Sequence, residues 1–289
     1  MSTERFLPDK KSKLAATIFG EELERSMVGR WVAKDERGDD DEQTMISKTV
    51  VFAVESFTID TTDGVKLHTM LFTPRGGEEE EEDDEEEEEE EEMGVKKNED
   101  IVVVLVHPYS VLGGCQILLR GIASGLARKG YKAVTFDMRG VGRSTGKPSL
   151  TGFREIKDVV SVCRWASQNC SSNRILLVGS SAGAPIAGSA VDLVDQVVGY
   201  VSIGYPFGFM ASILFGRHHK AIIKSPKPKL FIMGTRDGFT SVKQLKNKLK
   251  SANGHVETHL IEGVSHFQME GPSYDAEMVK LILRFIQSL

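Results

Sequence analysis

Only three cysteines, Cys115, Cys163 and Cys170, occur in 289 residues. Their spacing suits neither a disulfide framework nor a zinc site. An odd, sparse set of thiols favours a reducing compartment, so a cytoplasmic protein with free cysteines is expected. No apolar run reaches the roughly 18 residues that a membrane-spanning helix requires. Met1–Lys13 is charged and has none of the apolar stretch of a secretory leader. No Gly-Lys-Ser/Thr follows a glycine-rich turn, so that form of phosphate cradle is excluded. Neither a metal, a cofactor nor a nucleic-acid partner is expected.

What the chain does have is acidity in one place. Its formal net charge is −6, from 36 basic and 42 acidic residues. Glu78–Glu92 is an unbroken run of 15 acidic residues, and removing those from the total leaves 27 against the 36 basic ones. The remainder is therefore mildly basic. A run of like charges cannot bury a core, so residues 78–92 are expected as a disordered insertion in a surface loop, where added length costs little entropy. Its charge would suit a polybasic partner such as a histone-like tail. An inert low-complexity expansion is the plainer reading.

Residues 1–47 are weakly patterned: Leu14, Ile18 and Met27 could share a helical face, but Gly20 and Gly29 interrupt it. They read as an N-terminal extension before a single domain over 48–289. Thr49–Val54, Ser56–Asp60 and Val65–Thr73 are rich in β-branched and aromatic residues, and Asp63-Gly64 between them signals a hairpin at a sheet edge. From Ile101 a regular alternation sets in. Ile101–Val106, Lys132–Asp137, Ile175–Val178, Val197–Ile203, Leu230–Gly234 and Val256–Ile261 read as strands, several of them continuous apolar runs. Helical patterns over Cys115–Lys129, Phe153–Ser167, Ala184–Leu193, Val242–Ala252 and Tyr274–Leu289 separate most of them. Continuous apolar strands alternating with helices predict an α/β fold: a doubly wound, mostly parallel sheet covered on both faces, with an antiparallel N-terminal hairpin.

The stretch that organises this pattern is Arg174–Gly183. A short apolar strand runs into Gly179-Ser180-Ser181-Ala182-Gly183, a Gly-x-Ser-x-Gly pentapeptide, and a helix follows. A strand that turns sharply into a helix holds Ser181 at the tip of the turn, with small neighbours keeping their Cβ atoms clear. A serine hydroxyl is a weak nucleophile alone and needs a base and an oxyanion site. Ligands of open parallel sheets bind beyond the carboxyl ends of the strands. There, Ile101–Val106 leads into His107-Pro108-Tyr109-Ser110, Leu230–Gly234 into Thr235-Arg236-Asp237, and Val256–Ile261 into Glu262-Gly263-Val264-Ser265-His266. A nucleophile, a carboxylate and a histidine thus follow three strands in the order Ser, Asp, His.

From about Ser56 to Leu289 the chain resembles the α/β-hydrolases. Four motifs carry the likeness: the Ser181 pentapeptide, Gly234-Thr235-Arg236-Asp237, Gly263-Val264-Ser265-His266, and the loop Arg139-Gly140-Val141-Gly142-Arg143-Ser144. The resemblance implies a serine hydrolase with Ser181 as nucleophile, His266 as base and Asp237 as its orienting acid, acting on an ester, thioester or related small-molecule acyl compound without a cofactor. Many members have His-Gly after the first parallel strand. Here His107-Pro108 stands in its place, which looks like a short-lidded branch of the family. Pro108 has no N–H, so the oxyanion donors expected are the backbone N–H groups of Tyr109 and Ala182. Residues 207–228 occupy the position of a lid and are short, which implies an open site. His107, Phe209, Phe215 and His218 are the candidates for substrate contact, with His107 also suited to bracing the oxyanion turn. Asp137 and Arg139 are expected to brace loops. Two other readings fit the same residues: a catalytically silent scaffold or binding protein, and an acyltransferase using the same triad.

Overall fold

The computed structural model describes residues 52–75, 100–108 and 113–289, apart from the side chains of residues 209 and 210. The N-terminal extension, the acidic tract 78–92 and Tyr109 lie outside these described residues.

Eight strands form one sheet. They are β1 (Phe52–Asp60), β2 (Lys66–Pro74), β3 (Ile101–Val106), β4 (Ala133–Phe136), β5 (Arg174–Ser180), β6 (Val197–Ile203), β7 (Lys229–Gly234) and β8 (Val256–Ile261). Their order across the sheet is β1-β2-β4-β3-β5-β6-β7-β8. β1 and β2 pair antiparallel, β2 meets β4 antiparallel, and every other pair is parallel. This is the doubly wound, mostly parallel sheet with an edge hairpin that the sequence predicts. The hairpin turns at Thr61–Val65, where the Thr61 N–H donates to the Val65 carbonyl at 2.8 Å and Gly64 takes a φ of +78°. The runs Thr49–Val54 and Ser56–Asp60 are continuous from Phe52 onward as the single strand β1.

The helices are α1 (Arg120–Arg128), α2 (Glu155–Asn169), α3 (Gly183–Ala190), α4 (Phe209–Lys224), α5 (Val242–Leu249), α6 (His266–Met269) and α7 (Asp275–Gln287). Strands buried on both sides divide the apolar side chains into two cores. On one face Val104, Val106, Leu177 and Phe231 pack with Val159, Val162, Ile186, Phe215 and Leu245 from α2, α3, α4 and α5. On the other, Val103, Leu105, Leu176 and Ile232 pack with Ile122, Leu126, Met278, Ile282 and Phe285 from α1 and α7. Among the described residues, no helix is long and apolar enough to cross a membrane.

Two helices depart from the spans their patterns predict. The run from Cys115 begins as a 3-10 turn, Gln116–Leu119, because the Gln116 amide is held by Asp137 and Thr135. Leu119 from this turn is buried with Ile122 and Leu126 of α1. In α2 the inner face is Val159, Val162, Cys163 and Ala166, and Phe153 precedes the helix and stays 40% exposed. Glu155 and Asp158 also point inward, bonded to Ser149 and Arg139, so the polar residues hide the true apolar face from a simple reading of spacing.

Candidate active site

Ser181 directly follows β5 and has a φ of +48°, left-handed backbone that is strained for a residue with a side chain. The strain is held from both sides. The Ser181 N–H donates to the Ile203 carbonyl of β6 at 2.7 Å, and the Ser181 carbonyl accepts from the Ala184 N–H at 2.9 Å as α3 begins. The flanking glycines are required by space. A Cβ on Gly183 would sit 2.0 Å from the His107 carbonyl oxygen, and one on Gly179 would sit 2.6 Å from the Ala184 Cα. The turn therefore projects the Ser181 hydroxyl at the carboxyl edge of the sheet.

β7 and β8 are neighbours, paired as far as Gly234 and Ile261, so the loops that leave them are laced together. Thr235 and Arg236 donate their N–H groups to the Ile261 and Val264 carbonyls at 2.9 and 3.0 Å, and the Gly263 N–H donates to Thr235 Oγ1 at 2.8 Å. One loop presents Asp237. The other starts α6 with His266 as its first residue, preceded by Ser265, whose N–H donates to Gln268 Oε1 at 2.8 Å. Asp237 Oδ1 accepts the Phe239 and Thr240 N–H groups at 2.7 and 2.9 Å, which fixes the carboxylate.

The three side chains meet in one chain of hydrogen bonds. His266 Nδ1 lies 2.5 Å from Asp237 Oδ2, and Ser181 Oγ lies 2.6 Å from His266 Nε2. A carboxylate only accepts, so Nδ1 carries the proton and Nε2 is free to accept from the serine hydroxyl. The Asp237 and His266 side chains are 0% and 3% exposed. Burial pulls the His266 pKa down, but the bond to Asp237 and the charges of Glu270 and Asp237 outweigh it, and the net shift is upward. Such an arrangement can transfer a proton from Ser181 to His266 and stabilise the imidazolium that results. Ala182 stands immediately before α3, where the first N–H groups of a helix have no partner within it. The two buried thiols are poor rivals for the nucleophile: burial pushes Cys163 up to about 12 and raises Cys170 as well.

Residues 63–192 match the X-Pro dipeptidyl-peptidase (S15) family, under half of the chain. An uncharacterized protein of Rickettsia prowazekii is 29% identical over 150 residues, which are 49% of this chain and 60% of that protein. The matched part thus spans less than two thirds of the relative's length. An α/β serine hydrolase homologue from Coxiella burnetii is 26% identical, covering 80% of this chain and 96% of its own, with a TM-score of 0.60. The chain belongs to the α/β-hydrolase superfamily. An esterase of Pyrococcus furiosus shares the fold at 20% identity, with a TM-score of 0.62 over 82% of this chain and 91% of its own.

The other candidates in this α/β-hydrolase fall in different places. His107 is fully buried: its Nδ1–H donates to the Pro108 carbonyl at 2.6 Å and its Nε2 accepts the Met138 N–H at 2.9 Å. Burial lowers its pKa to about 4, and with both ring nitrogens engaged it is a neutral brace joining the loops after β3 and β4, which corrects the expectation that it touches substrate. Asp137 and Arg139 brace as expected. Asp137 accepts the Gln116 N–H and side-chain amide at 3.0 Å each. Arg139 is buried between Asp158 at 2.6 Å and Asp63 at 3.0 Å.

Segment 207–228, expected as a lid, is mostly α4, the crossover from β6 to β7, and it packs against α3. This corrects two of the substrate-contact expectations. Phe215 is 2% exposed and belongs to the core, because the inner face of an amphipathic crossover helix is claimed by the sheet. His218 is fully buried, with Nε2–H donated to the Thr151 carbonyl and Nδ1 accepting the Ser189 hydroxyl, both at 2.7 Å, so neither nitrogen is left for a substrate. Phe209 begins α4, and its side chain is outside the described residues.

Two neighbours of the site escaped the sequence reading. The Phe239 ring meets the His266 imidazole edge-on at 4.6 Å between centroids. Glu270 accepts a hydrogen bond from Ser180 Oγ at 3.1 Å. Its position four residues after His266, one helical turn away, is the signal that could have found it.

Proposed function

We propose that this protein is a serine hydrolase that cleaves an ester, thioester or related acyl compound through an acyl-enzyme. The observation that carries the reading is the continuous bond chain from Ser181 Oγ through His266 to Asp237, buried at the carboxyl edge of the sheet and ending at a strained serine. Ser181 Oγ attacks the acyl carbon while its proton passes to His266 Nε2. The carbonyl oxygen becomes an oxyanion, held by the Ala182 N–H and by the N–H of Tyr109, the first residue after Pro108 that has one. His266 gives its proton to the leaving group as the acyl–oxygen or acyl–sulfur bond breaks. Water, deprotonated by the same histidine, then attacks the acyl-serine and restores the hydroxyl.

Asp237 keeps the imidazole in the tautomer the first step needs and stabilises its charged form. The esterase neighbour of the same fold agrees with a carboxylic ester as the simplest substrate class. Turnover of p-nitrophenyl esters from two to eight carbons tests the reading. Wild type should hydrolyse short esters, Ser181→Ala should not, and Ser180→Ala should retain reduced activity. Full turnover by Ser181→Ala, or none by wild type, would refute it.

A further inference from the structure

Asp237 is not the only carboxyl group beside His266. Glu270 caps the carboxyl end of α6, the short helix that His266 begins. It reaches away from that helix, across to Ser180, the last residue of β5. Ser180 is 2% exposed and lies next to Ser181, so this bond joins the histidine-bearing helix to the serine-bearing turn. The two residues line a narrow cleft of about 10 Å³, room for one water, together with Pro108, Ile203, Met269 and Asp275.

Burial raises the Glu270 pKa. The charge of His266 and the hydroxyls of Ser180 and Ser181 act to lower it, and the charge of Asp237 raises it further. The titratable groups around it are thus His266 from its own helix, Asp237 from the loop after β7 and Asp275 from the start of α7. In the other direction, the Glu270 charge is among the influences that raise His266. A carboxylate held in low-dielectric surroundings acts on a neighbouring imidazolium far more strongly than one in water.

We propose that Glu270 is a positioning residue for the hydrolysis set out above: its bond to Ser180 fixes α6 against the nucleophile turn, and its charge stabilises the His266 imidazolium. This rests on the serine-hydrolase reading. No atom of Glu270 enters the bond-making steps. It acts on the proton acceptor and on the Ser181–His266 separation.

The test combines two measurements on wild type, Glu270→Gln, Glu270→Ala, Ser180→Ala and the Ser180→Ala/Glu270→Ala double variant. One is the titration of the His266 imidazole by NMR, and the other is the pH profile of ester turnover. Glu270→Gln keeps an acceptor for Ser180 but loses the charge, so both the His266 titration and the acid limb of kcat/KM should move to lower pH. Glu270→Ala should lower kcat by on the order of 10-fold, the equivalent of one hydrogen bond to a charged group, with little change in KM. Ser180→Ala should lower it comparably, and the double variant should be no worse than either single one. A His266 titration unmoved in Glu270→Gln, or losses that add in the double variant, would overturn the proposal while leaving an active hydrolase. A wild type without ester turnover would instead refute the hydrolase reading and with it the catalytic part of this one, whatever the NMR titration shows.

Discussion

Each residue of the candidate site has one task set by its surroundings. Asp237 is held by two backbone N–H groups on one oxygen and by His266 on the other, so replacing it leaves the loop intact but changes the imidazole. Asp237→Asn should fold normally and lower kcat by as much as ~10⁴-fold, because the amide can donate to Nδ1 and favour the wrong tautomer. Steady-state kinetics with circular dichroism as the folding control checks this, and a loss below 10-fold, which is about 1.4 kcal/mol, would count against it. The pH dependence has a definite sign. His266 must be neutral to accept a proton, and its pKa in the folded protein lies above the ordinary histidine value. Activity should therefore rise with pH, with its midpoint above that ordinary value. A midpoint below it would mean that burial, not Asp237 and Glu270, dominates.

At the scale of elements, the strands were legible in the sequence and the faces of some helices were not. Ile101–Val106 is apolar throughout, and Val197–Ile203 is so but for Ser202 and the Tyr200 hydroxyl, because both sides of a central parallel strand are covered. The order Ser181, Asp237, His266 was legible for the same reason, since each follows a strand whose end could be read. The segment 207–228 was different. Phe215 and His218 looked like exposed groups beside the site because the sequence mixes apolar and basic residues there and does not reveal which face meets α3. Glu270 was missed because its one signal, a place one helical turn after His266, does not reveal that the fold brings Ser180 to it. The corrected placement changes an expectation. Phe215→Ala should destabilise the protein by about 3–5 kcal/mol, as loss of a buried aromatic does, rather than alter selectivity among acyl lengths. Urea denaturation measures the first and relative kcat/KM values the second. Unchanged stability with a changed acyl preference would restore the substrate-contact role.

For the whole molecule, acid stability is a sum of opposed contributions. His107 and His219 are buried and each lowered to about 4, so the unfolded chain binds protons there that the native state refuses as pH falls from about 6.5 to 4. Asp275, raised to about 6 by burial, works in the opposite sense over much of that range. A raised His266 contributes stability below its unfolded pKa that is lost as pH climbs through its folded one. A difference between two proteins isolates one group from this sum. His219 is 6% exposed among Tyr205 and Phe207, and its Nε2 is a buried atom without a hydrogen-bond partner among the described residues. His219→Leu should therefore gain stability relative to wild type as pH falls from 7 to 4, by on the order of 2–3 kcal/mol at the acid end. Paired urea titrations across that range test it, and a difference independent of pH would show that His219 is not the neutral buried group described here.

The fold is expected to activate Ser181 and no other hydroxyl. The most direct measurement is reaction with a fluorophosphonate, followed by intact mass and peptide mapping of the adduct. One adduct per chain should form, on the peptide carrying Ser181, faster as pH rises through the His266 titration and absent in Ser181→Ala. Stoichiometric labelling that persists in Ser181→Ala, or a wild-type protein that takes no probe at any pH at which it remains folded, would contradict it.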